Sequence, residues 1–264
     1  TGLTTKSTFA ASQLKNTIAV VGSAGTDTVI ATTNNNDAAV LSMSGVETLK
    51  LNVAGGATAF DFAKTSGITK VQLDDDDTAR IATLTDLAEG TLVEVEHGVT
   101  ASGVVIDLVN KTDAANTQTV EIKTTATDTN TYSISADDIE AMTIKMSDAS
   151  TLDLSALSMV TAGKTSSLTF TGNKVATISA LHADVTSINA AAMTQGGGVV
   201  QSARSQTTAT DVTGSLGNDT FIMSHTGDVM VGGAGTDTLT ITKSAILGGL
   251  NVDLSAADEQ ILSF

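Results

Sequence analysis

Three nine-residue units follow one another without a gap near the end of the chain, and each has an aspartate at its sixth position. The units span residues 214–222, 223–231 and 232–240, and their aspartates are Asp219, Asp228 and Asp237. The eighth position is large and apolar in every unit. The first and third units also have early glycines, as in the pattern G-G-x-G-x-D-x-U-x of calcium-binding parallel β-helices. The repeat therefore predicts a metal and a fold together.

The residue types explain why calcium is the expected metal. Calcium takes about six to eight oxygen ligands, including carboxylates and backbone carbonyls, and glycine allows the tight turns that bring carbonyls together. Two nonapeptides make one coil, so residues eighteen apart stack, and we expect Asp219 and Asp237 to flank one ion on one edge. Asp228 is expected on the opposite edge, with a weak site or none, because its unit lacks early glycines. The predicted ligands of the stacked pair are Gly214, Leu216, Gly217, Asp219, Gly232, Ala234, Gly235 and Asp237.

A fourth copy of the unit lies near the start of the chain, at residues 22–30, and nearly duplicates residues 232–240 at an offset of 210 residues. Its candidate ligands are Gly22, Gly25 and Asp27. Position 45, eighteen residues after Asp27, is glycine, so the copy has no acidic partner at that spacing. The likeness continues downstream, where Glu47 follows Asp27 by twenty residues. The chain therefore enters a second copy of its opening module.

The densest acidic run is Asp74, Asp75, Asp76 and Asp77. It is either a solvated loop at the end of a strand or a calcium site completed by another loop. Asp137 and Asp138, with Glu140, form a weaker candidate of the same kind.

Sequence signals for other chemistries are missing. The three histidines, His97, His182 and His225, have no second His or Cys at metal-ligand spacing, which argues against a zinc site. The chain has no G-x-S-x-G elbow, phosphate loop or dinucleotide fingerprint. We therefore expect the protein not to be an enzyme.

Composition narrows the class of partner. The chain has 29 acidic and 13 basic residues, a net charge of −16, and no cysteine, proline or tryptophan. Proteins that bind nucleic acid use stripes of Lys and Arg against the phosphate backbone, and a chain this acidic lacks them. We therefore expect no nucleic-acid partner. It should instead attract divalent cations. No apolar run is long enough to predict a membrane span.

Short β-branched runs separated by Gly, Asn, Asp, Ser and Thr recur along the chain, as in residues 46–53, 68–73, 104–109 and 142–146. This spacing predicts an all-β protein, and the nonapeptides favour a parallel β-solenoid over a sandwich or barrel. Short helices are expected only at residues 83–88, 136–141, 187–194 and 255–260. We divide the chain into an irregular solenoid module over 1–210 and a nonapeptide coil, with the start of another module, over 211–264. Because it begins at Thr1 and ends in a strand-like run, we interpret it as a segment of a longer protein.

These features together resemble the RTX-type calcium-binding surface (S-) layer proteins of Gram-negative bacteria. The resemblance rests on residues 22–30, 214–222 and 232–240, on the strand at 45–51, and on the Ser/Thr/Ala-rich, proline-free texture of the rest. It implies type I secretion, folding on calcium outside the cell, and assembly with copies of itself into a two-dimensional lattice at the cell surface. It also implies attachment to lipopolysaccharide or another surface glycan through parts outside this segment. RTX toxins and proteases carry longer uninterrupted runs of the unit, so the number of ions stays open.

Two other functions remain as alternatives. The chain is also interpretable as a repeat module of a giant secreted adhesin, which the 210-residue near-repeat favours. A solenoid enzyme that modifies acidic polysaccharides is the second alternative. In the main interpretation, empty acidic loops destabilise the fold, and bound calcium stabilises it by mass action.

Overall fold

The computed structural model describes residues 6–10, 19–33, 38–53, 58–74, 81–97, 102–110, 115–123, 131–137, 139–158, 166–194, 196–201, 209–241 and 260–263. Throughout these residues the regular elements are β-strands, and the chain alternates between two parallel sheets that form a β-solenoid. The predicted all-β parallel solenoid is therefore confirmed. No helix long and apolar enough to cross a membrane is found in the described part of the chain.

The first sheet has eleven strands, stacked in chain order. They are β1 Lys6–Ala10, β3 Thr28–Thr33, β5 Thr48–Val53, β7 Lys70–Asp74, β9 Leu92–His97, β11 Thr117–Ile122, β13 Ala141–Met146, β16 Ser166–Gly172, β18 Val185–Met193, β20 Asp211–Thr213 and β22 Val229–Val231.

The second sheet has thirteen strands, of which β15 lies beside the main path and pairs with β12. They are β2 Val20–Val21, β4 Ala38–Ser44, β6 Thr58–Ser66, β8 Ile81–Leu87, β10 Gly103–Leu108, β12 Thr131–Asp137, β14 Ser150–Leu154, β15 Leu157–Ser158, β17 Val175–Leu181, β19 Gly198–Gln201, β21 Thr220–Met223, β23 Asp237–Ile241 and β24 Gln260–Ser263.

Period-two alternation builds the interior between the sheets. In β5 and β13 every second side chain is buried, for example Leu49 and Leu51, or Met142 and Ile144. The core consists mainly of Val, Ile, Leu, Met and Ala, with few aromatic rings such as Phe60 and Phe170. Such side chains suit a narrow interior between two parallel sheets, because β-branched residues pack well on a pleated surface.

Coil length varies along the solenoid. Register pairs in the first sheet are 22 residues apart between Thr48 and Lys70, 27 apart between Val93 and Val120, and 18 apart between Asp211 and Val229. The eighteen-residue stacking predicted for the nonapeptides is confirmed where Thr220 pairs with Thr238. Elsewhere the coils are longer, so an eighteen-residue rule fails outside the repeat.

Two predicted helices are wrong. Residues 83–88 lie mostly in β8, and residues 187–194 lie mostly in β18. In both strands a bulge places successive buried residues three positions apart. In β8 these residues are Leu84 and Leu87, and the pairing of β8 with β10 shifts register between them. A bulge inserts one residue into a strand, so it imitates the three-residue spacing of an amphipathic helix. A third predicted helix, at 136–141, is also wrong, because Ala136 and Asp137 end β12 and Ala141 begins β13. Residues 255–259 lie outside the described residues.

A charged network crosses the outer face of the first sheet from β5 to β13, and we call it the charge ladder. It consists of Lys50, Lys70, Gln72, Asp74, Glu94, Glu96, Glu121, Lys123 and Lys145. Lys50 bridges two coils, with its Nζ 2.7 Å from Asp74 Oδ2 and 2.8 Å from Glu96 Oε2. With four lysines and four acids, the ladder is neutral overall.

Glu94 lies at the centre of the ladder and is only 2% exposed. Gln72 Nε2 donates to its Oε1 at 2.6 Å, and Lys123 Nζ lies 3.0 Å from its Oε2. Burial alone would raise the pKa of Glu94, but the hydrogen bonds from Gln72 and Lys123 and the charges of Lys70 and Lys123 outweigh burial and lower it. The ionised carboxylate therefore stabilises the folded chain.

The sign of this shift gives a prediction for Glu94→Gln. Because the pKa is lower in the folded chain, the stabilisation is present above the ordinary value of 4.5 and is lost as the pH falls through the lowered value. We expect Glu94→Gln to lower the free energy of unfolding at pH 7 by about 1–3 kcal/mol and to flatten its dependence on pH below 4.5. Denaturant titrations between pH 3 and pH 7 measure both effects. If the free energy of unfolding of Glu94→Gln fell with pH below 4.5 as steeply as that of the unmodified chain, the stabilising role of the Glu94 carboxylate would be contradicted.

Candidate metal sites at the corners of the coils

The nonapeptide aspartates lie at corners where the chain leaves one sheet for the other. Corners at which the chain passes from the second sheet to the first sheet lie at what we call the first edge. Corners at which it passes from the first sheet to the second sheet lie at the second edge. Asp219 and Asp237 lie at the second edge, before β21 and at the start of β23, whereas Asp228 precedes β22 at the first edge. The predicted placement of these three aspartates on two edges is confirmed.

Asp219 and Asp237 are stacked neighbours on consecutive coils. The Asp219 amide N–H donates to Asp237 Oδ1 at 2.9 Å, and both residues are buried, at 1% and 4% exposure. Asp219 Oδ1 in turn accepts from the Val199 amide at 2.6 Å. Each carboxylate therefore binds the backbone of the preceding coil, which ties three coils together.

The loop ahead of Asp219 folds back onto its carboxylate. Ser215 donates to Asp219 Oδ2 through its amide at 2.7 Å and through its hydroxyl at 2.9 Å. Burial raises the pKa of the Asp219 carboxyl and the charge of Asp237 raises it further, although the hydrogen bonds from Ser215 and Val199 oppose the rise. Ionising this carboxylate in the folded chain therefore has a cost that a nearby cation would offset.

Glycine is required here because the coils approach backbone to backbone. A Cβ on Gly214 would lie 1.8 Å from the Gly232 carbonyl oxygen, and one on Gly217 would lie 1.8 Å from that of Gly197. On Gly232 it would lie 2.3 Å from Asp237 Oδ2. Gly235 also has a φ of 112°, in the left-handed region. Stacked glycines thus gather backbone carbonyls and buried carboxylates at the second edge.

The other two predicted ligands lie in the same loops. Leu216 has a 53% exposed side chain, and the Ala234 amide donates to the Ser215 carbonyl oxygen at 3.0 Å. Any contribution of Leu216 and Ala234 to a metal site would therefore come from the backbone.

The corner at Asp27 repeats this geometry, with Glu47 in the place of Asp237. The Asp27 amide donates to Glu47 Oε2 at 2.7 Å, and the Ser23 amide donates to Asp27 Oδ2 at 2.6 Å. A Cβ on Gly22 would lie 1.6 Å from the Gly45 carbonyl oxygen, and Gly25 has a φ of 134°. Position 45, eighteen residues after Asp27, is glycine, but this coil is longer, and Glu47, twenty residues after Asp27, takes the place of the acidic partner.

The sequence does contain a signal for Glu47, because an acidic residue follows the aspartate of the unit by twenty residues. That spacing does not match the eighteen residues of the repeat. One residue lies between Gly45 and Glu47, whereas four lie between Gly232 and Asp237. The extra methylene of glutamate supplies reach that the shorter turn lacks.

Asp228 differs from both acidic pairs. Its Oδ1 accepts from the Thr210 amide at 2.9 Å, and its Oδ2 accepts from the Ser224 and His225 amides at 3.0 and 2.9 Å. Thr210, at the equivalent position of the preceding coil, is neutral. Asp228 is thus a single carboxylate that accepts three backbone hydrogen bonds.

The acidic run is only partly described. Asp74 ends β7 and pairs with Lys50 in the charge ladder, and Asp75, Asp76 and Asp77 lie outside the described residues. Of the weaker group, Asp137 ends β12, Asp138 is outside the described residues, and Glu140 accepts the Asn116 amide at 2.8 Å.

The donor set at the two acidic pairs fits calcium, since carboxylates and backbone carbonyls are hard oxygen ligands. An amide hydrogen bond does not exclude a cation, because a carboxylate oxygen has two lone pairs. Within the described ranges, no group of three or more His, Cys, Asp or Glu side chains could hold a metal. A site here would therefore depend on two carboxylates together with carbonyls.

Comparisons with known proteins give no relative. No family model, no curated protein and no solved structure matches the chain.

The glycine stacking predicts a steric effect of one methyl group. Gly214→Ala should lower the free energy of unfolding by at least about 2 kcal/mol, because the Cβ would overlap the Gly232 carbonyl. The matched control is Gly90→Ala, where φ is 79° but nothing lies within 4 Å of the added Cβ. We expect the control to lose only about 1 kcal/mol, from backbone strain. Equal losses in denaturant titrations would contradict the close approach.

The two kinds of corner should respond differently to calcium. Asp228→Ala leaves three amides without their acceptor, so we expect a loss of about 1–3 kcal/mol that is the same with calcium and with chelator. The double change Asp219→Ala and Asp237→Ala should instead weaken the stabilisation by calcium, because it removes one of the two acidic pairs. Melting curves of each variant in both conditions measure the difference. Equal calcium responses would exclude the stacked pair as a metal site.

Proposed function

We propose that this chain is a structural segment of a calcium-stabilised cell-surface protein, in which a β-solenoid rigidified by calcium assembles with copies of itself into a two-dimensional layer. The observation that carries the proposal is the stacked, buried pair of Asp219 and Asp237 among glycine turns. The charge of Asp237 raises the pKa of the buried Asp219 carboxyl, and a cation beside the pair would offset this repulsion.

The residues that would hold the ion are the carboxylates of Asp219 and Asp237 at the second edge, and those of Asp27 and Glu47 at the first edge. When bound, calcium supplies positive charge that offsets their mutual repulsion. The chain's own residues hold the carboxylates in place: Ser215 and Val199 fix Asp219, and the Asp219 amide fixes Asp237.

The proposal also predicts that the stability of the fold differs between the inside and the outside of the cell. Binding of calcium to the folded form alone stabilises it in proportion to RT ln(1 + [Ca²⁺]/Kd). Extracellular calcium modules commonly bind in the range of about 0.1–1 mM. Sites of that affinity would be empty inside a cell and filled outside it, so the chain would become rigid after export.

A repeat module of a secreted adhesin remains a second candidate. The corner at Asp27 and the corner at Asp219 share the same backbone contacts, and their loops share the same pattern of residues. Recurrence of one corner within a single chain favours a protein assembled from reiterated modules.

The test is a thermal melt of the chain after chelation, compared with the same chain in millimolar calcium. We expect calcium to raise the melting temperature by 10 °C or more, on the order of several kcal/mol. Magnesium should not substitute, because it demands small, near-octahedral sites. A melting temperature that is unchanged by calcium would contradict the proposal.

Electron microscopy of the calcium form then separates the two candidates. Two-dimensional sheets are expected for the surface layer, and isolated rods for the adhesin module.

A further inference from the structure

The outer face of the second sheet carries a shallow depression of about 300 Å³ where strands β2, β4 and β6 end, and we call it the serine depression. Its polar lining residues are Ser42, Ser44, Lys64, Thr65 and Ser66. A cation and several hydroxyl groups therefore meet at a concave part of the surface, on the opposite sheet from the charge ladder.

A β-bulge in β6 turns Lys64 toward this depression. The pairing of β6 with β4 shifts register just before the pair of Ser42 and Lys64. Phe60 and Phe62 of β6 are buried, at 0% and 3% exposure, so strict alternation would place Lys64 on the same inward side. The bulge reverses the alternation, and Lys64 is exposed. Bulges re-aim side chains in this way.

The outward residues of the three strand ends lie in two rows. In one row Ser44 of β4 pairs with Ser66 of β6 and with Val21 of β2. In the other row Ser42 pairs with Lys64. Neighbouring strands of a sheet lie about 4.8 Å apart, so a single small ligand can reach both serines of the first row and the lysine of the second.

Backbone hydrogen bonds hold the three strand ends together. The Gly22 amide donates to the Ser44 carbonyl oxygen at 2.7 Å, and the Gly45 amide donates to the Ser66 carbonyl oxygen at 3.1 Å. The serine positions are therefore fixed by the stacking of the coils before any ligand binds, which lowers the entropic cost of binding.

The polar groups of the depression are available to a ligand. In the part of the chain that the structure describes, Lys64 makes no ion pair, whereas each of the four lysines of the charge ladder lies 3.8 Å or less from a carboxylate oxygen. Among the same residues, the hydroxyls of Ser42, Ser44 and Ser66 have no hydrogen-bond partner. The depression thus offers one cation and three hydroxyls.

This combination of groups indicates the class of ligand. An ammonium group binds a carboxylate, and serine hydroxyls both donate to and accept from the hydroxyls of a polyol. Val21, which is 75% exposed beside Ser44, offers apolar surface to C–H groups. An acidic saccharide has a carboxylate, neighbouring hydroxyls and C–H groups together. Inorganic phosphate lacks the C–H groups, and an acidic peptide lacks the neighbouring hydroxyls.

We infer that the serine depression binds a uronic acid unit of an acidic saccharide, with the carboxylate at Lys64 and ring hydroxyls at Ser44 and Ser66. This site is a second binding function of the chain. It goes beyond the calcium-stabilised scaffold and does not rest on it.

A titration of the complete chain with digalacturonate in calcium, followed by amide chemical shifts, tests the inference. We expect saturable shifts at Ser42, Ser44, Lys64 and Ser66, with a dissociation constant on the order of 1 mM because a shallow site buries little of its ligand. The dimethyl ester of the same disaccharide has no charge and should bind at least tenfold more weakly. Absence of saturable shifts at these residues would overturn the inference.

Lys64→Gln removes the cation, and we expect it to weaken the binding of digalacturonate at least fivefold. Lys174→Gln is the matched control, because Lys174 is also exposed and makes no ion pair among the described residues, but it lies in the turn between β16 and β17. The control should change binding by less than twofold. Equal losses in the two variants would show general attraction of an anion to surface lysines and would overturn the site.

Inorganic phosphate and a short glutamate peptide separate the saccharide from other anions. Each should bind the unmodified chain at least fivefold more weakly than digalacturonate, since neither can use the serine hydroxyls and Val21 together. Equal or tighter binding of either probe at Lys64 would overturn the assignment of the ligand as a saccharide.

Discussion

The structure depends on how backbone amides are satisfied where the chain turns between sheets. Parallel strands pair along the whole solenoid, but each corner takes amides out of the sheet ladders, and buried amides without an acceptor are costly. At corner after corner the acceptor is a carboxylate of the next coil: Asp237 for Asp219, Glu47 for Asp27, and Asp228 for Thr210. The same hydrogen bonds therefore stack the coils and position the acidic side chains.

This arrangement has an electrostatic consequence. A carboxylate that accepts amides is stabilised, but when the donor amide belongs to another acid, two like charges come together in a buried corner. Asp228 accepts the amide of Thr210 and Glu140 accepts the amide of Asn116, and both of these donor residues are neutral. At Asp219 and Asp237 the like charges do come together, and the pKa of Asp219 is raised by burial and by Asp237. The chain thus has corners where the amide of a neutral residue meets one carboxylate and corners where the amide donor is itself an acid.

Much of the fold could be predicted from the sequence, because alternation and the nonapeptides are local patterns. The stacking of Asp219 on Asp237 followed from an eighteen-residue coil, and the opposite edge for Asp228 followed from half of it. Glu47 was missed as the partner of Asp27 because coil length is set by how many residues each turn needs, which varies between 18 and 27 in the first sheet. Bulges in β8 and β18 imitate helical spacing because an inserted residue places buried side chains three positions apart. The charge ladder depends on which outward residues share a row across five coils, and this register is known only when every coil length is known.

The most direct measurement is a crystal structure of the chain grown in calcium, with anomalous scattering used to locate the ions. We expect one peak between the carboxylates of Asp219 and Asp237 and one between those of Asp27 and Glu47. Peaks absent from both acidic pairs, with their carboxylates still bound to backbone amides, would mean that the corners are complete without metal and would contradict the central claim.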